Sequence, residues 1–166
     1  MGVSEYLRWG GGALILICAI FSGREYTRYT EKRIEELCGF VAFLNHIKCE
    51  IEMYLTPMSG MIRGFKNESL EALGFIASAE KSGNLGKSFS ECKERTSLGK
   101  ESRDMLSECF SGFGQGYKKQ ELTRLERYIG SLSEILEKER EALPKNAKMV
   151  STLLLCGALG IFILLL

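Results

Sequence analysis

One histidine, six cysteines and two pairs of glutamates are the side chains from which this 166-residue chain could assemble an active site. A general base needs an imidazole or carboxylate within hydrogen-bond reach of the proton it takes, and a nucleophile needs such a base beside it. His46 stands in an apolar run with no partner in view, so a packed or half-exposed imidazole is expected rather than a base or ligand. Glu35/Glu36 and Glu137/Glu141 have the composition of an acid–base pair, but solvated helix faces look the same, and they are read as surface. Cys18, Cys38, Cys49, Cys92, Cys109 and Cys156 form no Cys-x-x-Cys pair and have no His or Cys at zinc spacing. Reduced thiols packing as small hydrophobes are expected. The run Gly112-Phe-Gly-Gln-Gly116 has no strand before it and no Lys-Ser or Lys-Thr after it, so it reads as a turn between helices, not a phosphate loop. No catalytic, cofactor-binding or metal-binding residue is expected, and no enzyme.

Charge excludes a further class of partner. Of 22 basic and 21 acidic residues, only Arg8 and Glu5 lie outside 24–148. Within that window the signs nearly cancel, which gives no electrostatic case for nucleic acid. Arg24, Tyr26, Arg28, Tyr29 and Arg33 interleave cations with rings that could stack on bases, but beside an apolar segment this pattern marks a headgroup layer.

The elements that would position these residues are helices. Ile34, Leu37, Val41, Leu44, Ile47, Ile51 and Tyr54 step by threes and fours, and Phe40 and Phe43 widen the stripe, so a central helix is expected there. Thr56-Pro57 reads as an N-cap followed by a first helical position. Shorter patterns follow at Leu70, Leu73, Ile76 and Ala77, at Leu85, Phe89 and Cys92, and at Leu106, Cys109, Phe110 and Phe113. Gly83, Gly86, Gly99, Gly112, Gly114 and Gly116 are expected at the joins. No period-two run suggests a strand. Leu122, Leu125, Ile129, Leu132 and Leu136 make a heptad seam on the last helix, with Glu121–Arg124 and Glu134–Lys138 pairs on its outer side. Pro144 is expected to kink or break that helix.

Both ends are apolar. Residues 149–166 carry no charge and would span about 27 Å as a helix against a hydrocarbon core of about 30 Å. Residues 9–23 are shorter but flanked by Arg8, Arg24 and aromatic rings. Small residues at cleavage spacing are lacking around Ser22 and Gly23, so an anchor is expected rather than a signal peptide. Arg24, Arg28, Lys32 and Arg33, with Lys138, Arg140, Lys145 and Lys148, place the middle in the cytoplasm by the positive-inside rule. The expected fold is therefore an all-α antiparallel bundle of about six helices flanked by N- and C-terminal transmembrane helices. Its parts are an extracytoplasmic 1–8, a span at 9–23, a cytoplasmic bundle at 24–148 and a span at 149–166.

Tyr54-Leu-Thr-Pro57, a long helix led by Gln120, and Lys145-Asn-Ala-Lys-Met149 entering the last apolar segment together resemble the stage III sporulation protein AB family. One difference is Phe113-Gly-Gln-Gly116, where the family tends to show a Gly-x-Ser-Asp turn. The resemblance implies a multi-pass component, with two spans, of the mother-cell-derived membrane around the forespore during endospore formation. Its role there would be a non-enzymatic platform subunit of a transenvelope, secretion-like channel complex. Ala79-Glu-Lys-Ser-Gly-Asn-Leu85 is similar to a Gly-Glu-x-Ser-Gly-x-Leu run of type II secretion F platform proteins. The implied partners are a secretion-type ATPase, other channel proteins and membrane lipid, with a possible homo-oligomer, no nucleic acid and no cofactor. The alternative is a membrane-anchored helical sensor or signalling adaptor.

Overall fold

The computed structural model describes residues 3–53 and 58–165, with side chains at 17, 18, 20–53, 60–161 and 163. The described chain is all α: α1 (Val3–Met53), α2 (Met58–Arg63), α3 (Glu68–Leu73), α4 (Phe75–Ser82), α5 (Leu85–Cys92), a 3₁₀ turn (Lys93–Arg95), α6 (Lys100–Ser111) and α7 (Lys118–Leu165). Two compact units divide it, Lys32–Glu139 and the pair of segments Met1–Glu31 and Arg140–Leu166.

In the Lys32–Glu139 unit the stripe read from the sequence becomes the core. Leu37, Phe40, Phe43, Leu44 and Ile47 of α1 have no exposed surface. Phe40 meets Phe75 at 5.2 Å and Phe89 at 5.5 Å between centroids, both edge to face, and Phe75 stacks on Phe110 at 5.4 Å. Phe43 adds edge contacts to Phe65 and Phe75 at 5.2 and 5.3 Å. Four helices thus converge on one aromatic cluster, and edge-to-face pairs contribute roughly 0.5–1.5 kcal/mol each beyond the area they bury.

The long helices run antiparallel in this unit. Arg33 pairs with Glu139, Lys48 Nζ lies 2.8 Å from Glu126 Oε1, and Lys118 Nζ donates to the Glu52 carbonyl at 3.0 Å. Rising numbers on α1 thus meet falling numbers on α7. The last contact places a cation at the C-terminal carbonyls of α1, which have no intrahelical donor.

Two helix joins differ from expectation. Leu70 to Ala77 was read as one helix, but Gly74 at φ 80° ends α3 and starts α4. The register restarts there, so Phe75, Ile76 and Ala79 are buried and Ala77 is exposed. Gly86, expected at a join, lies inside α5. A Cβ there would sit 3.1 Å from Ser111 Cα and 3.2 Å from the Phe110 carbonyl, so this glycine lets α5 approach the end of α6.

On α7 the fully buried seam residues are Leu125 and Leu132, with Tyr128 and Leu136 close behind; Leu122 and Ile129 are only partly covered. The Glu121–Arg124 pair, expected on the outer side, turns inward, because Glu121 is 7% exposed. α7 continues through Pro144 without a break. The Thr56-Pro57 cap and Tyr54 lie outside the described residues.

In the other unit, Gly23 faces Ser151 and Leu154, to which an added Cβ would be 3.9 and 3.8 Å. Thr27 and Thr30 fold their hydroxyls back onto the carbonyls of Gly23 and Tyr26, as mid-helix threonines do. Here the expected fold is corrected. Among the described residues no helix is long and apolar enough to cross a membrane. Among those residues the all-α bundle carries no flanking transmembrane helix of the kind expected at 9–23 and 149–166. The two-span membrane localisation, and the orientation argued from it, fall with the spans. The side chains of Tyr6, Arg8 and Trp9 lie outside the described residues.

Candidate functional site

The side chains singled out for chemistry do not converge. His46 Nε2 lies 2.9 Å from the Met61 carbonyl and its ring tilts against Phe65 at 5.5 Å. A carbonyl only accepts, so Nε2 carries the proton and donates. The imidazole ties α1 to α2, which is a structural role. Cys92 and Cys109 are buried, and burial pushes their thiols up to about 11 and about 12. Thiols held that far from the thiolate are poor nucleophiles. Cys18, Cys49 and Cys156 are exposed, and none of the six cysteines is in a disulfide. Among the described residues no group of three or more His, Cys, Asp or Glu could hold a metal ion.

The two members of Glu35/Glu36 separate. Glu35 is exposed, whereas Glu36 is 2% exposed and was misread as surface. Its Oε2 accepts the Ser97 backbone N–H at 2.6 Å, and Lys32 Nζ stands 3.8 Å from Oε1. Burial raises its pKa, opposed by the Ser97 bond and then by Lys32. A signal for this was present: Glu36 is four residues before Phe40 and seven before Phe43, hence on the buried face. Glu36 forms the floor of a cleft of about 490 Å³ whose walls include Lys32, Glu35, Glu68, Leu73 and Arg95. Three glutamates and two cations line it, a mixed-charge composition suited to charge-paired recognition of another surface.

The Gly112–Gly116 run is a turn that serves α7. Gly112 leaves room for the Arg124 guanidinium, and Gly114 takes φ 80°. Arg124 Nη2 donates to Glu121 Oε2 at 2.9 Å and to the Cys109 carbonyl at 3.4 Å. Glu121 Oε1 accepts the Gly116 N–H at 3.0 Å, and Gln120 Oε1 accepts the Tyr117 N–H at 3.4 Å. Gln120 thus reaches back to the residue before the helix as in a capping box, which is a physical reason for glutamine there. Ala79–Leu85 has a similar explanation. Ala79 packs in the core, Gly83 at φ 64° ends α4, Asn84 caps α5 by accepting the Lys87 N–H at 2.9 Å, and Leu85 is buried. Both motifs build the frame.

The described residues form a helical frame with a cleft of mixed charge. The chain belongs to the stage III sporulation protein AB family, whose sequence profile matches residues 8–166. Its members are structural scaffold components of sporulation and not enzymes, and this chain is one of them. No curated protein and no solved structure matches the chain. The match carries the sporulation scaffold, but not a membrane-anchored platform or a membrane-anchored sensor, since no described helix is long and apolar enough to cross a bilayer.

Proposed function

We propose that the chain is a scaffold subunit of a sporulation complex, holding partner proteins against the charged surface of its Lys32–Glu139 unit. The family match over residues 8–166 carries this reading. A clean deletion is expected to block spore development after engulfment. Normal spore yield in that strain would reject the proposal.

The finer reading is that one partner is a secretion-type ATPase and that other channel proteins join it. The cleft over Glu36 supports this, because a lining that mixes Lys32 and Arg95 with Glu35 and Glu68 selects a partner by charge pattern more than by apolar area. Replacing Glu35 and Glu68 by Lys should reduce the ATPase recovered with the chain from sporulating cells. Unchanged recovery would remove the cleft from the proposal. Ala79–Leu85 supports a kinship of this unit with type II secretion F platform domains, and a crystal structure of both with different helix order would end that reading.

A further inference from the structure

Lys119, Thr123 and Arg127 stand four residues apart on α7, one row of a helix face about 12 Å long. With Gln120 and Arg124 they line a groove of about 440 Å³. All but Arg124 are exposed. The neighbouring cations are accounted for by the fold: Lys118 serves the Glu52 carbonyl, Arg124 holds Glu121, and Lys48 holds Glu126. Among the described residues Lys119 and Arg127 have no acidic partner; Arg127 lies over the Tyr128 ring at 5.3 Å.

We infer that this face docks an acidic helical segment of another protein, its carboxylates four residues apart meeting Lys119 and Arg127 across Thr123, whose hydroxyl is turned back onto the Lys119 carbonyl at 3.1 Å. A nucleic acid or lipid surface fits less well. The chain's net charge of +1 gives no field toward a polyanion, and lipid-binding clusters carry about four to eight cations, more than this row holds. Lys119 also stands in the first turn of α7, where a cation opposes the helix dipole, so the fold itself gains nothing from it. The proposal deepens the scaffold reading by naming a second partner surface, apart from the Glu36 cleft.

The test is fluorescence anisotropy of a labelled helical peptide with glutamates four residues apart, titrated with the full chain at low salt. Binding should weaken roughly tenfold in the Lys119→Glu, Arg127→Glu double variant and stay unchanged in Lys81→Glu, Lys87→Glu. Lys119→Glu places an acid in the first turn, so the melting temperature should hold or rise, which separates lost binding from lost folding. The Lys119→Gln, Arg127→Gln variant should show a smaller loss in the same direction. Absence of peptide binding, equal loss in the control variant, equal binding of the glutamine version of the peptide, or tighter binding to phosphatidylglycerol vesicles or an oligonucleotide would each overturn the proposal. A deletion strain that sporulates normally would instead remove the scaffold reading, whatever the peptide does.

Discussion

Within the Lys32–Glu139 unit, α1 buries Leu37, Phe40, Phe43, Leu44 and Ile47 with no exposure, while α7 buries only Leu125 and Leu132 to that degree. α1 sits against three shorter helices, α4, α5 and α6, and against Phe65 of the α2–α3 join through its phenylalanines, so its apolar stripe is broad. α7 covers the core along a narrow seam and is held at intervals by Arg33–Glu139, Lys48–Glu126 and Lys118 on the Glu52 carbonyl. Pairs of this kind, part-exposed and screened by salt, contribute about 0–1 kcal/mol each. A helix placed inside the core has little surface left to recognise anything. One laid along it keeps most of its circumference for partners, which is where the Lys119–Arg127 row lies.

The largest test of this contrast is Phe40→Ala, expected to cost about 3–5 kcal/mol in chemical denaturation, because its ring contacts Phe75, Phe89 and Phe110 at once. Leu44→Ala and Leu132→Ala make the matched comparison. Both side chains have no exposed surface, yet the α7 site can relax toward solvent, so about 3–4 kcal/mol against about 2–3 kcal/mol is expected. Equal costs would show that α7 is as deeply built in as α1, and the contrast would break.

Gly74→Ala should cost about 1–2 kcal/mol, since φ 80° disfavours any Cβ and the α3–α4 join depends on it. Asn84→Ala should cost about 1 kcal/mol through loss of the α5 cap. Measured by thermal melts, these would sharpen the picture by showing how far the short helices, rather than α7, complete the surroundings of α1.

The smallest expected effect is a pH dependence at Glu36. Its folded pKa is raised above the ordinary 4.5 by burial, so the folded state holds the proton more tightly than the unfolded chain. That contribution is fully present below 4.5 and is lost as pH rises through the folded value. Relative to Glu36→Gln, the wild type should therefore lose stability as pH rises out of the acid range. A difference that does not change with pH would mean that the Ser97 N–H bond fully offsets burial.

Much of the helical content could be read from spacing. The α1 stripe survived because Leu37, Leu44 and Ile47 sit on one period and a broad stripe tolerates errors of register. Narrow patterns were less secure. Spacing puts Ala77 in one helical pattern with Leu70, Leu73 and Ile76, but Gly74 stops that helix; Tyr128 and Ile129 differ by one step on a 3.6-residue turn, and packing chooses between them. Glu36 was missed because its charge outweighed its position on the buried face.

The sequence by itself determined that the chain is helical and that Phe40 and Phe43 mark its central helix, since local periodicity and composition act within a few turns. Only the tertiary structure decided which partners those residues meet: Glu36 with Ser97, His46 with the Met61 carbonyl, Arg124 with the turn before α7. Such contacts join residues far apart in the chain, and a one-dimensional pattern carries no information about which distant backbone groups will need a donor or an acceptor once helices pack. The apolar ends taught the same lesson, because apolar composition alone did not establish a helix long and apolar enough to cross a bilayer among the described residues.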